Sequence, residues 1–201
     1  MLAAFSSKSD VFKYQDIYEY SSMFYVNYIH NLLSIGYNNL ALTFFKLYIK
    51  IVNTDTGMKL NKETIQIILS LTFELIDEDV DYFIKLLLKI IIMIKSIDSG
   101  NMFEGLLNII MLKYFLVMNN KILFDQQLKS IKESSYYGDY NLYFKLNIDL
   151  MSYEMKVTRM DNNDNELEFK LREFKHVTKK AKFNRLYIEV YILIAIYYVV
   201  I

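Results

Sequence analysis

The residues that could do chemistry are few. The chain holds two histidines, His30 and His176, and no cysteine. Disulfides, thiolate nucleophiles, Zn–Cys sites, Fe–S clusters and a three-histidine metal site are therefore excluded. His30 stands between Ile29 and Asn31 with no Asp or Glu three or four positions away, so no local carboxylate orients its ring. His176 has Glu173 at i−3, the spacing of a surface pair on a helix. Both read as helical histidines without a catalytic role.

Carboxylates give no better start. Asp161, Asn163 and Asn165 mimic the first, third and fifth positions of a calcium loop. Glu166 stands where that loop needs glycine, and Arg172 where it needs a bidentate glutamate. The stretch is read as a polar linker. Asp77-Glu78-Asp79, with Asp81 close by, suits the positive N-terminus of a following helix better than it suits a cation. No glycine-rich phosphate loop, Gly-x-Ser-x-Gly elbow or His-Glu-x-x-His motif occurs, and five glycines leave little material for a phosphate cradle. The expectation is a protein that is not an enzyme, with no catalytic, cofactor-binding or metal-binding residues.

Two groups of residues suit binding. Lys170, Arg172, Lys175, Lys179, Lys180 and Lys182 crowd one segment with a single intervening glutamate, Glu173. On a helix they form a basic face, with Phe174 and Val177 turned inward. Near the N-terminus, Tyr20, Phe24, Tyr28 and Asn31 recur at helical spacing on a segment rich in tyrosine. Such aromatics suit recognition of a peptide or helix.

These groups need elements to position them, and composition selects the elements. The 201 residues carry 23 Lys plus Arg against 23 Asp plus Glu, so the net charge is zero. That balance argues against nucleic acid as a partner. Hydrophobic residues make up 54%, enough for a sizeable core, and there is no proline to interrupt a helix. The heavy use of Ile, Leu, Tyr, Phe, Lys and Asn is read as codon bias of an AT-rich genome. No secretory signal is visible in MLAAFSSKSD, and no Asn-x-Ser/Thr sequon occurs. An intracellular protein, cytoplasmic or nuclear, is expected.

Apolar periodicity predicts helices throughout. Ile17, Tyr20, Phe24, Tyr28, Leu32 and Ile35 stripe the first, and Gly36 can close it. Leu40, Ala41, Phe44, Phe45, Tyr48 and Val52 stripe the second. Further helices are expected from about Asn61, Val80, Met102, Ile122, Gly138, Glu166 and Asn184. The segment Val80–Ile97 is apolar nearly all round and is read as buried at the centre of the protein. The apolar run Val190–Ile201 is twelve residues, about 18 Å as a helix against a hydrocarbon core near 30 Å. It is expected to pack on the preceding helices and to leave an apolar face that promotes self-association.

The stretch Ser34–Tyr48 resembles the centre of a tetratricopeptide repeat. Gly36, Ala41, Phe44 and Phe45 occupy that family's helix-ending glycine, small residue and aromatics. Gly138–Phe144 repeats the opening, with Tyr143 in the small-residue slot, and Gly100–Gly105 keeps Gly and a small residue at the same spacing. Gly36 and Gly138 lie 102 residues apart, three times the family's 34-residue period. The terminal proline of that motif has no counterpart. The resemblance implies an all-α fold of about nine antiparallel helices stacked as hairpins, a solenoid segment filling one domain over residues 1–201. A single globular helical bundle is the alternative.

The functional expectation is a non-enzymatic scaffold or adaptor, a subunit that holds a partner helix or peptide in a groove. Its binding residues would be Tyr20, Phe24, Tyr28 and Asn31, and no cofactor is called for. The expected partners are proteins, including further copies joined through the C-terminal segment. Three alternatives stand beside it: a helical protein attached to a membrane through residues 186–201, a viral bundle that binds host signalling proteins, and a peptide-sensing helical-repeat regulator.

Overall fold

The computed structural model describes residues 23–54, 62–97, 103–138, 140–159 and 165–200. Tyr20 and the calcium-loop-like stretch 161–164 lie outside them, as do residues 55–61 and 98–102. Among the described residues the protein is all-helical, with nine helices and no strand. They are α1 (described over residues 23–34), α2 (Asn38–Thr54), α3 (Lys62–Leu75), α4 (Val80–Ile97), α5 (Glu104–Val117), α6 (Lys121–Glu133), α7 (Leu142–Val157), α8 (Asn165–Lys180) and α9 (Asn184–Val200). Two compact units divide at Glu78 and Asp79, inside the acidic run read as suiting the start of a helix.

In the N-terminal unit, α1 ends where Gly36 adopts φ +82°. Its N–H reaches the Leu33 carbonyl at 3.2 Å, and the Tyr37 N–H reaches Leu32 at 2.9 Å. This double closure satisfies the last carbonyls and turns the chain into α2. Ala41 is fully buried beneath the turn, with Phe45, Tyr48, Ile49 and Val52 continuing its face. α2 packs on α3 and on the short 3-10 turn Ile76–Glu78. Asn38 donates to Glu78 Oε1 across that contact at 2.9 Å.

The C-terminal unit opens with Asp79, whose side chain accepts from the Tyr82 N–H and caps α4. Central burial of α4 is corrected here. Phe83, Leu86, Leu87 and Ile90 are buried, but Leu88 is 59% and Ile92 70% exposed. The cause lies in the composition: an all-round apolar helix carries no polar face to say which side is covered.

Beyond α4, α5 packs with α6 and α8 with α9, while α7 touches both α5 and α9. Asn119 (φ 50°) and Lys182 (φ 59°) repeat the closure seen at Gly36, at the ends of α5 and α8. Asn120 and Asn141 cap α6 and α7 through the Leu123 and Phe144 N–H groups. The start of α7 is therefore Asn141 and not Gly138, which follows the 3-10 turn Ser135–Tyr137 and has open space around it.

The core of this unit joins Leu146, Leu150 and Val157 of α7 to Leu167, Leu171 and Phe174 of α8 and to Leu186, Val190 and Leu193 of α9. The C-terminal segment thus packs on its neighbours as a helix, despite its dense β-branched residues. One smaller expectation fails. Val177 is 41% exposed, and the inward place is taken by Thr178, which returns its hydroxyl to the Phe174 carbonyl at 3.1 Å. Ile122 faces out at 71% exposure.

Candidate functional site

The aromatic stripe of α1 comes together with α2. Phe24 and Tyr28, one turn apart, stack with centroids 6.0 Å apart and ring planes 6° from parallel. Phe44 of α2 meets the Tyr28 ring edge-on at 4.7 Å and tilts against Tyr25 at 6.4 Å. The rings support one another without being covered: Phe24 remains 64% and Tyr28 36% exposed. Asn31, one turn further along the same face, is exposed as well. Three of the four residues expected to bind a partner therefore share one surface, and the fourth, Tyr20, is outside the described residues.

A groove of about 380 Å³ in the same unit is lined by His30, Glu63, Gln66, Ile67 and Ser70. None of the stripe residues enters it. Sequence spacing gave His30 no carboxylate; α3 places Glu63 on the same groove, from a distance in the chain that no local pattern reports.

The basic segment is largely engaged with its own surroundings. Lys170 pairs with Glu166 at 2.6 Å, and Arg172 with Glu168 at 2.8 Å. Arg172 also donates to the Tyr198 hydroxyl at 2.6 Å, and Tyr198 in turn donates to Glu168. These bonds to Tyr198 and Arg172 hold the Glu168 carboxyl below its ordinary value. The Lys175 ammonium sits 4.0 Å above the Tyr191 ring. Tyr187 donates to the Tyr191 hydroxyl at 3.2 Å. Hydrogen bonding from Lys175, then from Tyr187, and the charges of Lys175 and Lys179 hold the Tyr191 hydroxyl below the usual tyrosine range. Lys179, Lys180 and Lys182 are exposed.

Asp149 is a residue the sequence reading passed over. It lies on α7 between buried Ile148 and Leu150, and burial raises its carboxyl above the usual range against the pull of Lys132. A charge between two core residues was the available signal. Among the described residues no group of three or more His, Asp or Glu is arranged to hold a metal ion, and no helix is long and apolar enough to cross a membrane. Comparison with protein-family models, with curated proteins and with solved structures finds no match.

Proposed function

We propose that the protein is a non-enzymatic interaction module, an intracellular scaffold or adaptor whose N-terminal unit receives a partner helix or peptide on the α1 stripe. One observation carries the reading: Phe24 stacks on Tyr28, Phe44 backs the Tyr28 ring, and both stacked rings stay exposed. A rigid aromatic pair offers large contact area at little cost in side-chain entropy, the property of residues that dominate interfaces. Asn31 adds a polar group at the end of the stripe. The row formed by α5, α7 and α9, with α6 and α8 paired beside it, supports stacking in the manner of tetratricopeptide arrays.

The test begins with capture of stoichiometric partners on the tagged full chain in native extract and their identification by mass spectrometry. Binding of the purified partner is then measured against Phe24→Ala/Tyr28→Ala. The expected result is a loss on the order of tenfold or more with an unchanged thermal melt, and no loss in Ile122→Ala. A partner that binds the double variant as tightly as the wild type would refute the assignment of this face.

A further inference from the structure

The α8–α9 hairpin carries a second surface, remote in sequence from the α1 stripe and argued from different observations. Leu186, Val190 and Leu193 turn one face of α9 to the core. The opposite face is apolar too. Ile188 is 58%, Ile192 54%, Ile196 44% and Val199 85% exposed, with exposed Ala195 among them. Residues 188, 192, 195 and 199 follow one another at four, three and four positions, which keeps them on one stripe. Beside this stripe run Tyr191 and Tyr198, tied to Lys175 and Arg172 of α8. Residues 165–200 hold seven Lys and Arg against four Glu, a formal +3 in a chain whose net charge is zero. With Lys170, Arg172 and Arg185 paired to glutamates four positions away, the excess is that of Lys175, Lys179, Lys180 and Lys182 over Glu173, and the last three lysines lie exposed at the turn toward α9.

We propose that this surface docks on an anionic lipid bilayer, with α9 lying in the plane of the membrane and its outer stripe at the boundary between headgroups and acyl chains. An apolar stripe flanked by cations is the pattern of helices that lie on such surfaces. Tyrosines at its edge match the headgroup depth. α9 does not cross: no described helix is long and apolar enough to do so. A second copy of the chain fits less well. Pairing two copies would bring two +3 hairpins together, whereas anionic headgroups neutralise them.

The experiment is flotation of the full chain with vesicles of phosphatidylcholine alone or of phosphatidylcholine mixed with phosphatidylserine, paired with light scattering of the protein alone. The expected result is co-flotation with the phosphatidylserine vesicles, weakened by salt. Lys179→Gln and Lys180→Gln should each weaken it about fivefold, and Ile188→Ser/Ile192→Ser should abolish it. Ile122→Ser, an exposed position elsewhere, should leave it unchanged. Equal binding to both vesicle types, binding to neither, or a dimer broken by Ile188→Ser/Ile192→Ser that does not float would each overturn the proposal. The α1 face is untouched by these substitutions, so partner binding there succeeds or fails separately.

Discussion

Tyr140 donates its hydroxyl to the Gly105 carbonyl at 3.0 Å, and it stands there because residue 105 has no side chain. A Cβ on Gly105 would lie 2.8 Å from Tyr140 Cε1 and 3.0 Å from its hydroxyl oxygen. The ring thereby ties the connection before α7 to the first turn of α5.

That relationship predicts coupling. Gly105→Ala gains up to about 1 kcal/mol of helix propensity, but it displaces the ring and loses a hydrogen bond of similar worth. In the wild-type background the substitution should be neutral or destabilising. In a Tyr140→Ala background only the propensity gain remains, and it should stabilise. A double-mutant cycle by chemical denaturation should return a coupling of about 1 kcal/mol or more; additivity would show that the ring is not seated on Gly105.

Two isoleucines two positions apart on α4 should behave as opposites. Ile90 is fully buried and Ile92 is 70% exposed. Ile90→Ala should cost about 2–5 kcal/mol, while Ile92→Ala should stay within about 0.5 kcal/mol of wild type. Equal losses would restore the all-round burial that the composition of this helix invites.

Asp149 makes a signed prediction about pH. Burial raises its folded-state pKa above the ordinary 3.8, with Lys132 opposing. The folded state therefore binds the proton more tightly than the unfolded state. This contribution to stability is fully present below the unfolded value and is lost as pH rises through the folded one. At neutral pH the ionised group is a cost. Asp149→Asn should melt higher than wild type at neutral pH, and the gap should close on acidification. A gap that widens in acid would reverse the assignment.

Lys182 sits at φ 59°, a left-handed conformation that costs a residue with a Cβ about 1–2 kcal/mol. Lys182→Gly should raise the melting temperature by relieving it, the gain being offset in part by the greater freedom of glycine in the unfolded chain. Lys182→Val should lower it. Indifference to both would mean that the closure of α8 is not what stabilises the hairpin.

These cases also mark what could be read in advance. The glycine closing α1 was legible because Gly36 is the residue type that favours φ +82°. Asn119 and Asn120 are of types that favour a left-handed residue and an N-cap. Nothing in a lysine announces the same conformation, so the third closure was not legible. The buried face of a helix followed from periodicity where polar residues marked an outer face. α4 has the bounds expected of it, Val80–Ile97, but no polar face, and its buried side had to come from the fold. The α1 stripe was visible because its members are one turn apart on a single helix. Its support by Phe44 was not, nor was the groove shared by His30 and Glu63 or the contact of Lys175 with Tyr191. Each of these joins separate helices, and the register between helices is set by packing.

The core shared by α7, α8 and α9 has a consequence during synthesis. Leu146, Leu150 and Val157 are covered by residues that the ribosome adds later, the last of them Leu193, 36 positions after Val157. At roughly 5–20 residues per second, a finished α7 waits about 2–7 s for its cover, longer than hairpin closure or collapse requires. Over that interval the nascent chain presents a bare leucine-rich face while α5 and α6, already made, can pair. The vulnerable species on the way to the native state is therefore the chain stalled between α7 and α9, and chaperone demand should peak there.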